Sequence, residues 1–211
     1  MRRLLIVGAG GFGREMFHWV RQHPDHGVRW TLGGFLDDNA EALRGFGRDP
    51  GIVGSLRDYA PSAGDLLVCA LGLPKSKKAV VEPLLARGAE FLTFVHPAAT
   101  VGGDVQLGQG TVVCPGAVLT ADIRVGRFVT LNNCATVGHD ATVGDYTTLS
   151  CHADITGFCK VGEGVFFGSH AGMIPSTSVG DWALVGAGSM VLVSVDPGAT
   201  VVGVPARRIS P

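Results

Sequence analysis

His139 is followed directly by Asp140, which sets an imidazole next to a carboxylate in the run Gly138-His139-Asp140. Histidine titrates closest to neutral pH of all side chains, so His139 is the natural candidate for a general base. Adjacency in the chain does not by itself establish contact between the two. A second arrangement lies near the start, where Gly8-Ala9-Gly10-Gly11-Phe12-Gly13 follows the apolar run Leu4 to Val7 and precedes a predicted helix from about Arg14 to Arg21. Strand, glycine turn and helix together let backbone approach a ligand, and the helix N-terminus offers unpaired N–H groups to a phosphate. A third set, Cys134, His152 and His170, recurs at a constant interval of three six-residue units. Ladder spacing alone does not supply tetrahedral ligands, so no metal is expected there. His18, His23 and His26, in or after the first helix, receive no chemical role, and His96 before Pro97 is expected to make a structural hydrogen bond.

The element that must carry His139 is written in a six-residue period. From Val101 to Val191 every sixth residue is aliphatic, Phe or Met, and a small or β-branched residue follows four places later at Val105, Thr111, Ala117, Ile123, Ala135 and Ala141. A fixed period of six matches neither 3.6 nor 3.5 and so excludes a helical reading; it signals a parallel β-helix of stacked short strands. Glycine follows the aliphatic residue in many units, as at Gly102, Gly126, Gly138 and Gly168, where a sharp corner is expected to need positive φ. His139, two places after the inward Val137, is expected to project outward.

The glycine turn belongs to a different kind of unit. Predicted strands at Leu4 to Val7, Gly34 to Leu36, Leu66 to Leu71 and Phe91 to Phe94, with a second helix from about Ser76 to Arg87 kinked at Pro83, give the order β-α-β-β-α-β. That order suits a small Rossmann-like parallel sheet that binds ligands outside the carboxyl ends of its strands. The unit is about half of a full dinucleotide fold, so a nucleotide diphosphate linked to a sugar is expected rather than NAD. Gly10, Gly11, Phe12 and Gly13 would take the diphosphate, Asp37 and Asp38 after the second strand would accept from the base or ribose, and Gly72 closes the third strand. The expected division is a nucleotide-sugar-binding domain over 1–95 and a β-helix domain with its C-terminal tail over 96–211.

Composition narrows the partners. Seventeen Lys and Arg against 18 Asp and Glu leave a formal charge of -1, with no footprint for nucleic acid or an anionic membrane. No apolar run approaches the ~20 residues that span a bilayer, and the first residues do not read as a signal peptide, so a cytoplasmic protein is expected. Five cysteines without a C-x-x-C pair suit reduced thiols.

Gly8 to Gly13 leading into Arg14-Glu15, Leu36-Asp37-Asp38-Asn39, His96-Pro97, Asn132, Gly138-His139-Asp140 and the ending Gly203-Val204-Pro205-Ala206 together resemble the hexapeptide-repeat sugar acyltransferases. That family includes sialic acid O-acetyltransferases and nucleotide-4-amino-sugar N-acetyltransferases. The resemblance implies three units per coil, a left-handed wind, a homotrimer with active sites between neighbouring prisms, and acetyl-CoA as co-substrate with no metal required. It also implies that His139 is the base, that Asp140 raises its basicity and that Asn132 helps to hold the acceptor. Three six-residue units per coil set Gly157 one coil above His139, which places the Gly157 N–H where the family has its oxyanion donor. Ser169, Gly186 and Ala187 match contact points for acetyl-CoA, and Thr148 stands where amino-sugar enzymes often carry a histidine touching it. Phe12 likewise replaces a histidine frequent in the glycine turn. The expected activity is acetyl transfer to the amine of a nucleotide-linked 4-amino sugar. The alternatives are O-acetylation of a sugar of the sialic acid type and a non-catalytic nucleotide-sugar-binding trimer. A γ-type carbonic anhydrase on the same prism is disfavoured, because its closely paired zinc histidines are missing.

Overall fold

A computed structural model describes residues 1–209 and divides the chain into two compact units: Met1–Gly72 with Ser76–Leu92, and Leu73–Lys75 with the residues from Thr93 on. In the first unit β1 (Arg2–Val7), β2 (Trp30–Leu36), β3 (Ile52–Gly54) and β4 (Asp65–Cys69) form a parallel sheet in the order β3-β2-β1-β4. The central strand is covered on both faces, which is why Leu4-Leu5-Ile6-Val7 is an unbroken apolar run with all four side chains fully buried. Helix α1 (Gly11–Gln22) buries Met16, Phe17 and Val20, one stripe of a 3.6-residue repeat. It begins earlier than expected, at Gly11 rather than Arg14, because Gly10 serves as its N-cap. Helix α2 (Pro74–Ala86) opens on a proline, whose missing N–H is no loss at that position, and contains Pro83.

Two strand expectations are corrected. Strand β3 was not foreseen. The predicted last strand, Phe91 to Phe94, does not form: Phe91 makes a single bridge to Leu67, while Phe94–Val95 pairs with Val112–Val113 in the second unit. The unit boundary falls between those two aromatic residues.

The second unit is a stack of triangular coils, its three faces being sheets of five, eight and six strands. Each strand is very short and pairs in parallel with its counterpart one coil on, as in Thr130↔Thr148 and Thr136↔Asp154; among the described residues the one antiparallel pair joins Thr200–Val202 to Arg207–Arg208. The inward column of Leu131, Val137, Leu149, Ile155, Phe167 and Met173 is fully buried, and so are the small residues Ala135, Ala141 and Ala153. Two buried threonines replace alanine at one corner without loss. The Thr111 and Thr147 hydroxyls donate to the carbonyls of Gly126 and Gly162 at 2.8 Å and accept from Val129 N and Val165 N.

The corner glycines work differently from the expectation. Positive φ does not fall on Gly102, Gly126, Gly138 or Gly168; it falls two positions later, at Asp104, Phe128, Asp140 and His170 among others. The glycines are needed for close approach between coils: a Cβ on Gly102 would lie 1.6 Å from the Thr120 carbonyl oxygen, and one on Gly138 2.7 Å from Gly157 N.

None of the five cysteines forms a disulfide. Among the described residues no helix is long and apolar enough to cross a membrane, and no group of three His, Cys, Asp or Glu is placed to hold a metal ion. His152 and His170 stack face to face at 4.7 Å between ring centroids.

Candidate active site

His139 sits at a corner after the strand Thr136–Val137, with its side chain 57% exposed. Its Nδ1 lies 2.8 Å from Asp140 Oδ2. A carboxylate can only accept, so this contact keeps the proton on Nδ1 and leaves the Nε2 lone pair free to take one. Asp140 reaches back because its backbone is left-handed, at φ 60°, and its N–H is tied to the Ala121 carbonyl. One coil on, Gly157 packs against the imidazole so closely that a Cβ there would be 2.8 Å from both Cε1 and Nε2. The Gly157 N–H donates to no protein acceptor among the described residues. Phe158, which the sequence reading did not single out, stands edge-on to His139 at 5.0 Å and is 55% exposed. Asn132 is half-buried, and its Oδ1 accepts from Asn133 N at 2.8 Å.

The structure groups these residues on two corners. His139 and Gly157 share one. Asn132, Ser169, Gly186 and Ala187 share another, following the strands Thr130–Leu131, Phe166–Phe167 and Leu184–Val185 of the eight-stranded sheet. Ser169 and Ala187 are exposed and stacked on successive coils, with Gly188 N donating to Ser169 O. Thr148 is only 2% exposed, so its side chain has no surface to offer a cofactor, and that expectation is corrected.

In the first unit, Gly8 to Gly13 follow β1 and Gly72 follows β4, at the carboxyl ends of neighbouring strands. This is where the chain leaves for opposite sides of such a sheet and where ligands bind in folds of this kind. Gly10 has open space above it and a Cβ on Gly11 would touch only the Arg14 guanidinium, at 3.9 Å, whereas Gly13 packs on the end of β1: a Cβ there would be 2.0 Å from Gly8 O. The first turn of α1 contains no acid, and Arg14 lies beside it with its guanidinium 3.8 Å above the Phe46 ring. Phe12 packs edge-on against Trp19 along the helix. Asp37 already accepts from Ala9 N at 2.7 Å and Asn39 N at 2.8 Å, so it anchors the glycine turn to the end of β2. Asp38 accepts from Leu56 N and Arg57 N and pairs with the Arg57 guanidinium. Both carboxylates therefore have structural partners that sequence did not reveal.

Comparison with known proteins matches residues 3–84 to the PglD N-terminal domain and residues 159–192 to the hexapeptide repeat of succinyl-transferase. The first unit is thus similar to a PglD N-terminal domain, and part of the second to a hexapeptide repeat. UDP-N-acetylbacillosamine N-acetyltransferase of Bacillus subtilis (strain 168) is 34% identical over 117 residues, or 54% of this chain, so the match spans about half (51%) of that relative's length. The acetyltransferase domain of PglB from Neisseria gonorrhoeae FA1090 superposes with a TM-score of 0.88 at 28% identity, over 99% of this chain and 100% of that one. PerB from Caulobacter crescentus, solved with CoA and GDP-perosamine, superposes with a TM-score of 0.86 at 26% identity, over 100% of this chain and 98% of that one. The fold is accordingly a small parallel α/β unit followed by a left-handed parallel β-helix, and the resemblance drawn from the sequence motifs is borne out.

Proposed function

We propose that this protein is an N-acetyltransferase that moves an acetyl group from acetyl-CoA to the amine of a nucleotide-linked 4-amino sugar, with His139 as general base. The observation that carries the reading is the exposed His139 ring, held through Nδ1 by Asp140 and lying against Gly157, whose N–H has no protein acceptor among the described residues. In the proposed reaction the amine nitrogen attacks the thioester carbon, and the Gly157 N–H stabilises the oxyanion that develops. His139 Nε2 takes the amine proton. As the intermediate collapses, the C–S bond breaks and that proton passes to the CoA sulfur. The relatives support the acceptor class, because the similar proteins include a UDP-N-acetylbacillosamine N-acetyltransferase and a protein solved with CoA and GDP-perosamine. The diphosphate would rest on the open Gly10-Gly11 turn, with Arg14 beside it.

The two-corner arrangement supports a homotrimer. Residues on different corners of one prism cannot close on one substrate, whereas neighbouring prisms would bring His139 and Gly157 of one copy to Asn132, Ser169, Gly186 and Ala187 of the next. Thiol release from acetyl-CoA tests the function, with UDP-, GDP- and dTDP-linked 4-amino sugars and free sialic acid as acceptors. Release only with an amino sugar is expected. Release only with sialic acid would replace the amine by a hydroxyl, and no release with any acceptor would favour a binding protein.

A further inference from the structure

We infer that Gly157 and Phe158 form a positioning pair that seats the His139 ring, a role separate from the Gly157 N–H as an oxyanion donor. The inference rests on His139 being the base. One hydrogen bond to Asp140 leaves an exposed imidazole free to swing, so something else must fix its plane. Gly157 supplies the floor. Its backbone is not left-handed, so φ alone does not demand glycine, and the atoms nearest to an added Cβ all belong to the imidazole, at 2.8 Å for Cε1 and Nε2 and 3.3 Å for Cδ2. Nor does the corner demand glycine. The neighbouring coils place Ala121 and Pro175 at the same step, linked through Asp140 N to Ala121 O and Ser176 N to Gly157 O. The bare Cα therefore makes room for the imidazole.

Phe158 supplies the wall. It occupies the left-handed step of its unit at φ 59°, a conformation that disfavours a bulky side chain. Phe128 and Tyr146 occupy the same step at another corner, but both are buried at 1% exposure and stacked on each other at 5.8 Å. Phe158 gains no such burial. At 55% exposure it is not a core residue, and its ring stands perpendicular to the imidazole at 5.0 Å. Asp140, the bare Gly157 and the Phe158 ring thus each border the imidazole, with Nδ1 engaged by Asp140 and Nε2 left for the acceptor.

A double-mutant cycle separates this role from oxyanion donation. Gly157→Ala keeps the backbone N–H but displaces the ring, and should lower kcat about 100-fold, with Phe158→Ala lowering it about tenfold and Phe158→Tyr restoring it. KM for acetyl-CoA and the unfolding temperature should stay as in the parent protein. In a His139→Ala background Phe158→Ala should change the residual turnover by less than about twofold, because it acts only through the ring. Equal losses in both backgrounds would overturn the inference, as would an effect of Phe158→Ala confined to KM. Full turnover in His139→Ala alone would instead remove the base on which the proposed function stands.

Discussion

The β-helix and the N-terminal sheet solve the same problem, covering apolar strands, in opposite ways. In the β-helix each strand pairs with its counterpart one coil on, so the same geometry recurs coil after coil and one outward position can be specialised without disturbing the rest. In the N-terminal unit β1 pairs with β2, which lies beyond a whole helix, and with β4, which lies farther still, and the turn is held by single contacts such as Ala9 N to Asp37. A repeating scaffold thus offers a rigid platform for a base, while the irregular one offers an open loop for a ligand. Substitutions in the two regions should separate turnover from ligand affinity.

The largest separation is expected at His139. Changing it to Ala should lower kcat by ~10² to 10⁴-fold, the usual worth of a general base. Because the side chain is mostly exposed, the unfolding temperature should not move; a loss of stability with unchanged kcat would mean that the ring is structural. Next comes the interior of the β-helix. Leu149 is fully buried and stacked between equivalent steps, so Leu149→Ala should destabilise by about 2–5 kcal/mol, read by denaturant unfolding. A smaller loss would show that the coils relax into the cavity. Third is Gly10→Asp, at a position where an added Cβ meets no neighbouring atom within 4 Å, so the fold should stay intact. A carboxylate at the helix N-terminus should repel the diphosphate and raise KM for the nucleotide sugar about 10 to 100-fold at constant kcat. An unchanged KM would move the nucleotide away from the glycine turn.

The same contrast explains what sequence could and could not reveal. The inward positions of the β-helix were legible because the period is local, and stacking one coil on the next was enough to set Gly157 beside His139. The corner chemistry was misread: the left-handed step is imposed by the repeat and accepts Phe128, Cys134, His152 and Trp182, residues whose own preferences do not announce it. Phe158 was missed for that reason. In the N-terminal unit the apolar run of β1 was plain, but β3 is a very short edge strand next to Pro50 and Gly51, with too few positions to show alternation. The tasks of Asp37 and Asp38 depend on loops that meet only after folding.

The smallest expected effect is a difference in acid sensitivity. Asp65 at the start of β4 accepts from Arg3 Nε at 2.8 Å, Arg3 Nη2 at 2.9 Å and the Tyr59 hydroxyl at 2.7 Å. The Arg3 bonds lead in holding its carboxyl below the usual aspartate range, with Tyr59 adding to them, although burial opposes the shift. A group depressed in the folded state stabilises above its unfolded value of about 3.9, and that stability is lost as pH falls from there through the folded value. The two titratable partners do not offset this: Arg3 is raised by the same bond, and burial with the Asp65 contact pushes the Tyr59 phenol up, so both keep their protons throughout that range. Asp65→Asn should therefore melt lower than the parent protein at pH 7, with the gap narrowing as both are acidified below about pH 4. The β-helix places no comparable bidentate pair on a buried carboxylate among the described residues, so the N-terminal unit should supply most of this slope. Calorimetry from pH 7 to 3 would check it, and parallel melting curves for the two proteins would show that the Arg3 clamp does not stabilise the sheet.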